Sequence, residues 1–89
     1  MSERPEPVNS SLRLYSKPGC HLCEIMIEEL LPLIRGRLEL EVVNIESRPD
    51  WLHDYGTRIP VLEFNAETVC EAKLDVPAIQ RIIGQHTGS

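Results

Sequence analysis

The run from Leu12 to Ile45 constrains the fold of this chain more than any other stretch. Leu12, Leu14 and Ser16 alternate with Arg13 and Tyr15, a two-residue period that predicts a strand over Leu12–Ser16. Pro18-Gly19 breaks it. The period then lengthens. Starting near Cys20, Leu22, Ile25, Met26, Leu30, Leu33 and Ile34 recur at helical spacing, with Glu24, Glu28 and Glu29 on the other face. Pro32 lies inside this pattern and is expected to kink or interrupt the helix, because it has no N–H for the Glu28 carbonyl. Gly36 supplies a stop. Alternation returns over Leu38–Ile45, a second strand. Strand, helix, strand in that order predicts a parallel pair with a right-handed crossover.

The rest of the chain adds three shorter units and a last helix. Ser47–Tyr55 reads as a short helix, capped by Ser47 or Asp50 and stopped by Gly56. Ile59–Phe64 is a third strand, Asn65-Ala66 a turn, and Glu67–Cys70 a fourth strand antiparallel to the third. Asp75-Val76-Pro77 opens a helix through Ile79, Ile82 and Ile83 that Gly84 is expected to close. The predicted order is β-α-β-α-β-β-α, an α/β class. With 89 residues, 42% of them hydrophobic, there is material for one core and no more. The domain is expected at 12–84, between a disordered polar N-terminal tail at 1–11 and a polar C-terminal tail at 85–89.

Charge narrows the range of functions. The formal net charge is −5, which offers no basic footprint for nucleic acid and argues against docking on an anionic membrane. No apolar run approaches the roughly 20 residues that span a bilayer, and residues 1–11 contain no apolar segment of a secretory signal. The expectation is a cytoplasmic monomer with neither nucleic acid nor membrane as partner. Three cysteines are too few for the disulfide lattice of a secreted mini-protein. The chain also lacks GxxxxGK[ST], GxGxxG, HExxH and EF-hand patterns.

What remains is Cys20-His21-Leu22-Cys23. Cysteines at i and i+3 share a helix face one turn apart, and here they fall in the first turn. Free backbone N–H groups and the positive end of the helix dipole favour a thiolate there. Such a cysteine has its pKa lowered from about 8.5 into roughly the 3.5–7.5 range, and the thiolate is the attacking species in disulfide exchange. Cys20 is therefore the expected nucleophile and Cys23 the resolving thiol of a dithiol centre acting on a disulfide-bearing protein or a low-molecular-weight thiol. His21, if protonated, and Lys17 are candidates for tuning the Cys20 thiolate. Leu22 offers an apolar edge where a partner can pack. Other readings stay open: a non-catalytic binding module of the same architecture, or a metal or iron–sulfur carrier. A closed zinc site is disfavoured, because it needs four ligands, and Cys70, His53 and His86 are scattered. Cys70 itself reads as a small buried residue of the fourth strand, with a regulatory thiol as the alternative.

The segment Tyr15-Ser16-Lys17-Pro18-Gly19-Cys20-His21-Leu22-Cys23 resembles the reactive segment of glutaredoxins, and Thr57-Arg58-Ile59-Pro60-Val61-Leu62 resembles that family's Thr-Val-Pro segment. The resemblance covers about residues 11–84. It implies a thioredoxin-like fold of glutaredoxin type, three-layer α/β/α with a four-stranded mixed sheet, and a redox-active dithiol used in thiol–disulfide oxidoreduction. It also implies that Ile59-Pro60 is cis and faces the cysteines. The Ile59 backbone would then be open to pairing with an extended substrate. Lys17 and Arg58 would be candidates for the carboxylates of glutathione. Two departures stand out. Where glutathione-binding members carry paired glycines followed by Asp, this chain has Cys70-Glu71-Ala72-Lys73-Leu74-Asp75, which forfeits the close backbone approach that glycine permits. His21-Leu22 replaces the usual Pro-Tyr. No resident cofactor is expected, and glutathione is a candidate co-substrate whose cradle these departures weaken. Asp75 is expected to cap the last helix.

Overall fold

A computed structural model describes residues 11–86 of the chain. The elements follow in the expected order: β1 (Ser11–Ser16), α1 (His21–Ile34), β2 (Glu39–Asn44), a 3-10 turn (Ile45–Ser47), α2 (Pro49–Tyr55), β3 (Val61–Phe64), β4 (Glu67–Glu71) and α3 (Val76–His86). The strands form one mixed sheet in the order β2-β1-β3-β4. β1 and β2 are parallel; β1–β3 and β3–β4 are antiparallel. Of the tails expected at 1–11 and 85–89, residues 1–10 and 87–89 lie outside the described residues. Ser11, assigned above to the N-terminal tail, opens β1, and Gln85 and His86, assigned to the C-terminal tail, belong to α3.

Strand alternation builds two cores, one on each face of the sheet. Leu12 and Leu14 of β1 and Leu62 and Phe64 of β3 point to one face. There they meet Met26, Leu30 and Ile34 of α1 and Ile79 of α3. Burial of each such side chain contributes about 1.5–3 kcal/mol, so this face holds most of the apolar stabilisation. Tyr15 and Val61, one position out of phase, point to the other face and pack with Ile45, Trp51 and Tyr55 around α2. The result is three layers: α1 and α3, the sheet, then α2. Opposite Leu62 and Glu63 the register of β4 slips, because Leu62 pairs with Cys70 while Glu63 pairs with Thr68. Val69 is the extra residue of this bulge, and both Val69 and Cys70 pack against the larger core.

Several expectations are corrected in detail. Pro32 does not interrupt α1, which continues to Ile34. Pro32 is exposed and sits in the last turn, so only one bond is lost, on a side that water reaches. β2 is shorter than Leu38–Ile45 and is an edge strand, so Val42 is exposed although the alternation marks it as inward. Neither Ser47 nor Asp50 caps α2. Its N-cap is Arg48, with no side-chain cap bond and Pro49 at the first turn. The Ser47 hydroxyl donates to the Asn44 carbonyl at 2.7 Å, and the Arg48 guanidinium holds both Asp50 oxygens at 3.0 Å. Gly84 does not close α3, which runs two residues past it. The Asp75 cap is present: the Ala78 N–H donates to Asp75 Oδ1 at 3.1 Å. Among the described residues no helix is long and apolar enough to cross a membrane.

Candidate active site

Lys17-Pro18-Gly19-Cys20 forms a tight turn that hands β1 to α1. The Cys20 N–H donates to the Lys17 carbonyl at 3.2 Å, and Gly19 takes a φ of +81°. Pro at the second position and a left-handed Gly at the third are the residues a type II turn demands. The turn leaves Cys20 as the N-cap of α1, with extended backbone angles, φ −84° and ψ 104°. Its side chain takes the part that Ser or Asp usually plays: Sγ accepts the Cys23 N–H at 3.2 Å. Cys20 and Cys23 are joined as a disulfide with Cα atoms 5.2 Å apart. Cys23 is 1% exposed, whereas Cys20 is only half-buried. One sulfur is therefore reachable from solvent and its partner is enclosed one turn deeper.

The sheet register brings two further segments to the same end of the molecule. Tyr15 pairs with Val61, and Val61 with Glu71, so the next rung sets Pro60 beside Ser16 and Ala72 beside Pro60. The Ala72 N–H donates to the Pro60 carbonyl at 2.8 Å. The Ile59–Pro60 peptide bond is cis, and Pro60 is buried. Beyond β4, the Lys73 N–H donates back to the Glu71 carbonyl at 2.6 Å across Ala72, whose φ is +66°. Such a three-residue turn is rare for a non-glycine residue. Arg58, just before the cis bond, reaches across to this turn. Its Nη2 and Nε donate to Glu71 Oε2 at 2.7 and 3.2 Å, and its Nη1 donates to the Asp54 carbonyl at 3.2 Å. The guanidinium also lies over the Tyr55 ring, 5.4 Å from its centre. The Glu71 hydrogen bond raises the Arg58 pKa above its ordinary value.

A strand, a type II turn, a Cys-x-x-Cys helix start and a cis-proline strand entry thus converge at one sheet end. Residues 11–84 match the glutaredoxin-like domain family. The chain belongs to this family. Among solved structures it is similar to protein Ne2328 from Nitrosomonas europaea, at 37% identity and a TM-score of 0.71. That match covers 91% of this chain and 96% of the other. It is also similar to target protein XcR50 from X. campestris, at 27% identity and a TM-score of 0.63, over 83% of this chain and 96% of that one. Glutaredoxin C1 from Populus tremula x tremuloides is 16% identical with a TM-score of 0.52, over 85% of this chain and 89% of that one, a likeness of fold alone. No curated protein matches the sequence.

Against this glutaredoxin-like frame the remaining predicted residues fall into place unevenly. His21 is highly exposed, and its Nδ1 lies 3.9 Å from Glu24 Oε1. Leu22 is half-exposed on the first turn of α1, beside the reachable sulfur. Lys17 is exposed and lines a shallow cleft of about 260 Å³ with Pro18, Val42, Val43 and Asn44. That cleft lies toward β2, while Arg58 is tied toward β4, so the two cations flank the central strand on opposite sides. Cys70 is half-buried and unpaired, and burial pushes its thiol pKa up. A larger cavity, about 380 Å³, opens at the opposite sheet end. Its polar side chains satisfy one another: Arg13 donates to Glu41, and Tyr15 donates to Glu63. Two clusters were not visible in the sequence. One is the Arg58–Glu71 pair, 13 positions apart. The other is Glu63, which accepts from Tyr15 at 3.2 Å and from Tyr55 at 3.0 Å.

Proposed function

We propose that the protein is a thiol–disulfide oxidoreductase with Cys20 as nucleophile and Cys23 as resolving thiol. The observation that carries this reading is the Cys20 sulfur itself, half-buried at the N-cap of α1 and accepting the Cys23 N–H at 3.2 Å, with Cys23 buried behind it. An N–H aimed at sulfur favours the anion over the neutral thiol, and so does the positive helix end. In the reduced protein the Cys20 thiolate attacks one sulfur of a substrate disulfide. A Cys20–substrate bond forms, the substrate S–S bond breaks, and the departing sulfur leaves as a thiolate. Cys23 gives its proton to the departed substrate thiolate and attacks the Cys20 sulfur. The Cys20–Cys23 bond forms and the second substrate thiolate leaves. The protein gives two electrons and the substrate takes them. An external dithiol returns the pair to the reduced form by the reverse sequence.

Leu22 and Ile59 supply the docking surface in this reading, with buried Pro60 as the floor beneath Ile59. Lys17 and His21 lie on the rim, where a positive charge favours the thiolate. A protein disulfide suits the surface, because the Ile59 backbone offers groups for pairing with an extended segment. The test is alkylation of Cys20 across pH in a Cys23→Ser, Cys70→Ala protein, alongside turnover of a mixed disulfide by the unaltered protein. The expected midpoint lies in the range of about 3.5–7.5. Cys23→Ser should stall as a trapped Cys20 mixed disulfide, and Cys20→Ser should lose turnover. A midpoint at or above about 8.5 without turnover overturns the reading.

A further inference from the structure

The sheet end that carries the dithiol also carries an ion pair of the chain itself. Arg58 is the cation of the cis-proline segment, and two of its nitrogens are committed to Glu71 Oε2, at 2.7 and 3.2 Å. A third nitrogen is committed to the Asp54 carbonyl, and the guanidinium plane is covered by Tyr55. Glu71 is the last residue of β4 and pairs with Val61. It opens the three-residue turn closed by Lys73 N–H at 2.6 Å, with Ala72 held at φ +66°. Non-glycine residues in that region persist where the surroundings over-determine them, and they concentrate at functional sites. The same turn is pinned to the Pro60 carbonyl by the Ala72 N–H. The turn, the ion pair and the cis-proline rung are one connected unit at the sheet end that carries Cys20.

We propose that Glu71 is a specificity-determining residue. By occupying Arg58 it withholds the cation that a carboxylate near the substrate disulfide would seek, and it selects substrates whose disulfide is flanked by neutral or basic groups. This deepens the dithiol-exchange reading above and rests on it. A carboxylate-bearing disulfide must displace Glu71 from a forked contact, or accept a place beside two carboxylates that share one guanidinium. A cationic disulfide meets no such cost. The formal net charge of −5 acts in the same direction at longer range.

The test uses the reduced full-length protein and three disulfide probes: oxidised glutathione (anionic), bis(2-hydroxyethyl) disulfide (neutral) and cystamine (cationic). Second-order rates of Cys20–Cys23 oxidation are measured for each and divided by the rate of the same probe with dithiothreitol, which removes intrinsic reactivity. The normalised anionic-to-cationic ratio should be below one for the natural chain. Glu71→Gln, which keeps the side-chain shape, should raise that ratio about tenfold. In Glu71→Gln combined with Arg58→Gln the gain should vanish, because the freed cation is gone. A ratio that moves less than twofold in Glu71→Gln overturns the proposal. So does a gain that persists without Arg58. Failure of the protein to exchange with any probe overturns the dithiol reading instead, and the two failures are thus separate.

Discussion

Three cysteines in this chain hold the same atom in three environments, and their chemistry should separate accordingly. Cys20 sits at a helix start with an N–H aimed at its sulfur, Cys23 is enclosed one turn in, and Cys70 lies half-buried on β4. Burial is the largest influence on Cys70 and raises its pKa, because the interior disfavours a thiolate. At neutral pH, Cys70 of the reduced protein should alkylate at least tenfold more slowly than Cys20, read from labelled peptides by mass spectrometry. Equal rates would remove the distinction. The same shift makes a statement about stability. The folded-state pKa lies above the unfolded one, so the native state holds its proton longer. The stabilising contribution is complete below roughly pH 8.5 and is lost as pH rises through the folded value. Cys70→Ala has no such loss. Urea unfolding of the two proteins should show the difference moving in favour of Cys70→Ala as pH rises above about 8.5. A difference that stays flat as pH rises would show that burial does not govern this thiol.

At the scale of elements, Gly19 and Gly84 offer a paired experiment. A Cβ at either position meets no atom within 4 Å, so sterics with neighbours do not decide the outcome. Backbone conformation does. Gly19 has φ +81° at the turn that presents Cys20. Gly84 lies inside α3, two residues from its end, and no left-handed angle is required of it. Gly19→Ala should cost about 1–2 kcal/mol and slow Cys20 alkylation, because the N-cap geometry shifts with it. Gly84→Ala should be neutral or add about 0.5 kcal/mol, visible as a small rise in Tm. The reverse order would overturn this account. The same glycines show what could be read from sequence. The break at Pro18-Gly19 is legible because proline and glycine punctuate a strand, but the type II turn it forms is not. Gly84 was misread as a stop, since glycine is a weak signal against the apolar packing of Ile79, Ile82 and Ile83 on the core. Pro32 misled for a related reason: in a last, exposed turn the broken bond costs little. The parallel β1–β2 pair and the antiparallel β3–β4 pair followed from alternation and chain order, whereas the β1–β3 pairing that joins them did not. The α2 cap did not, because Arg48 claims Asp50 and the Ser47 hydroxyl turns to Asn44. In the site, the cysteine pair was legible from spacing and position. The Arg58–Glu71 contact was not, because a pairing across the sheet end depends on the Val69 bulge and the turn at Ala72, which single residues do not announce.

At the scale of the whole molecule, charge selection has two sources that salt can separate. One is the field of a chain with net charge −5, whose reach is set by the screening length. The other is the contact of Glu71 with Arg58 at 2.7 Å. The screening length is about 30 Å at 0.01 M salt, about 10 Å at 0.1 M and about 3 Å at 1 M. The long-range part of the preference for a cationic over an anionic disulfide should therefore shrink severalfold between about 0.01 and 0.3 M salt. The contact part should not, because charges within hydrogen-bond distance lie inside the screening length even at high salt. The gain in anionic exchange on Glu71→Gln should accordingly survive 0.3 M salt at no less than half its low-salt value. It should do so while the natural chain's own preference flattens. If the gain instead decays in step with that preference, Glu71 acts only as one more charge in the overall field, and the forked contact with Arg58 selects nothing. If the gain persists, the sheet end discriminates by local geometry. The row of Ser16, Pro60 and Ala72 then serves a second purpose beyond aligning strands: it holds the carboxylate that decides which disulfide reaches Cys20.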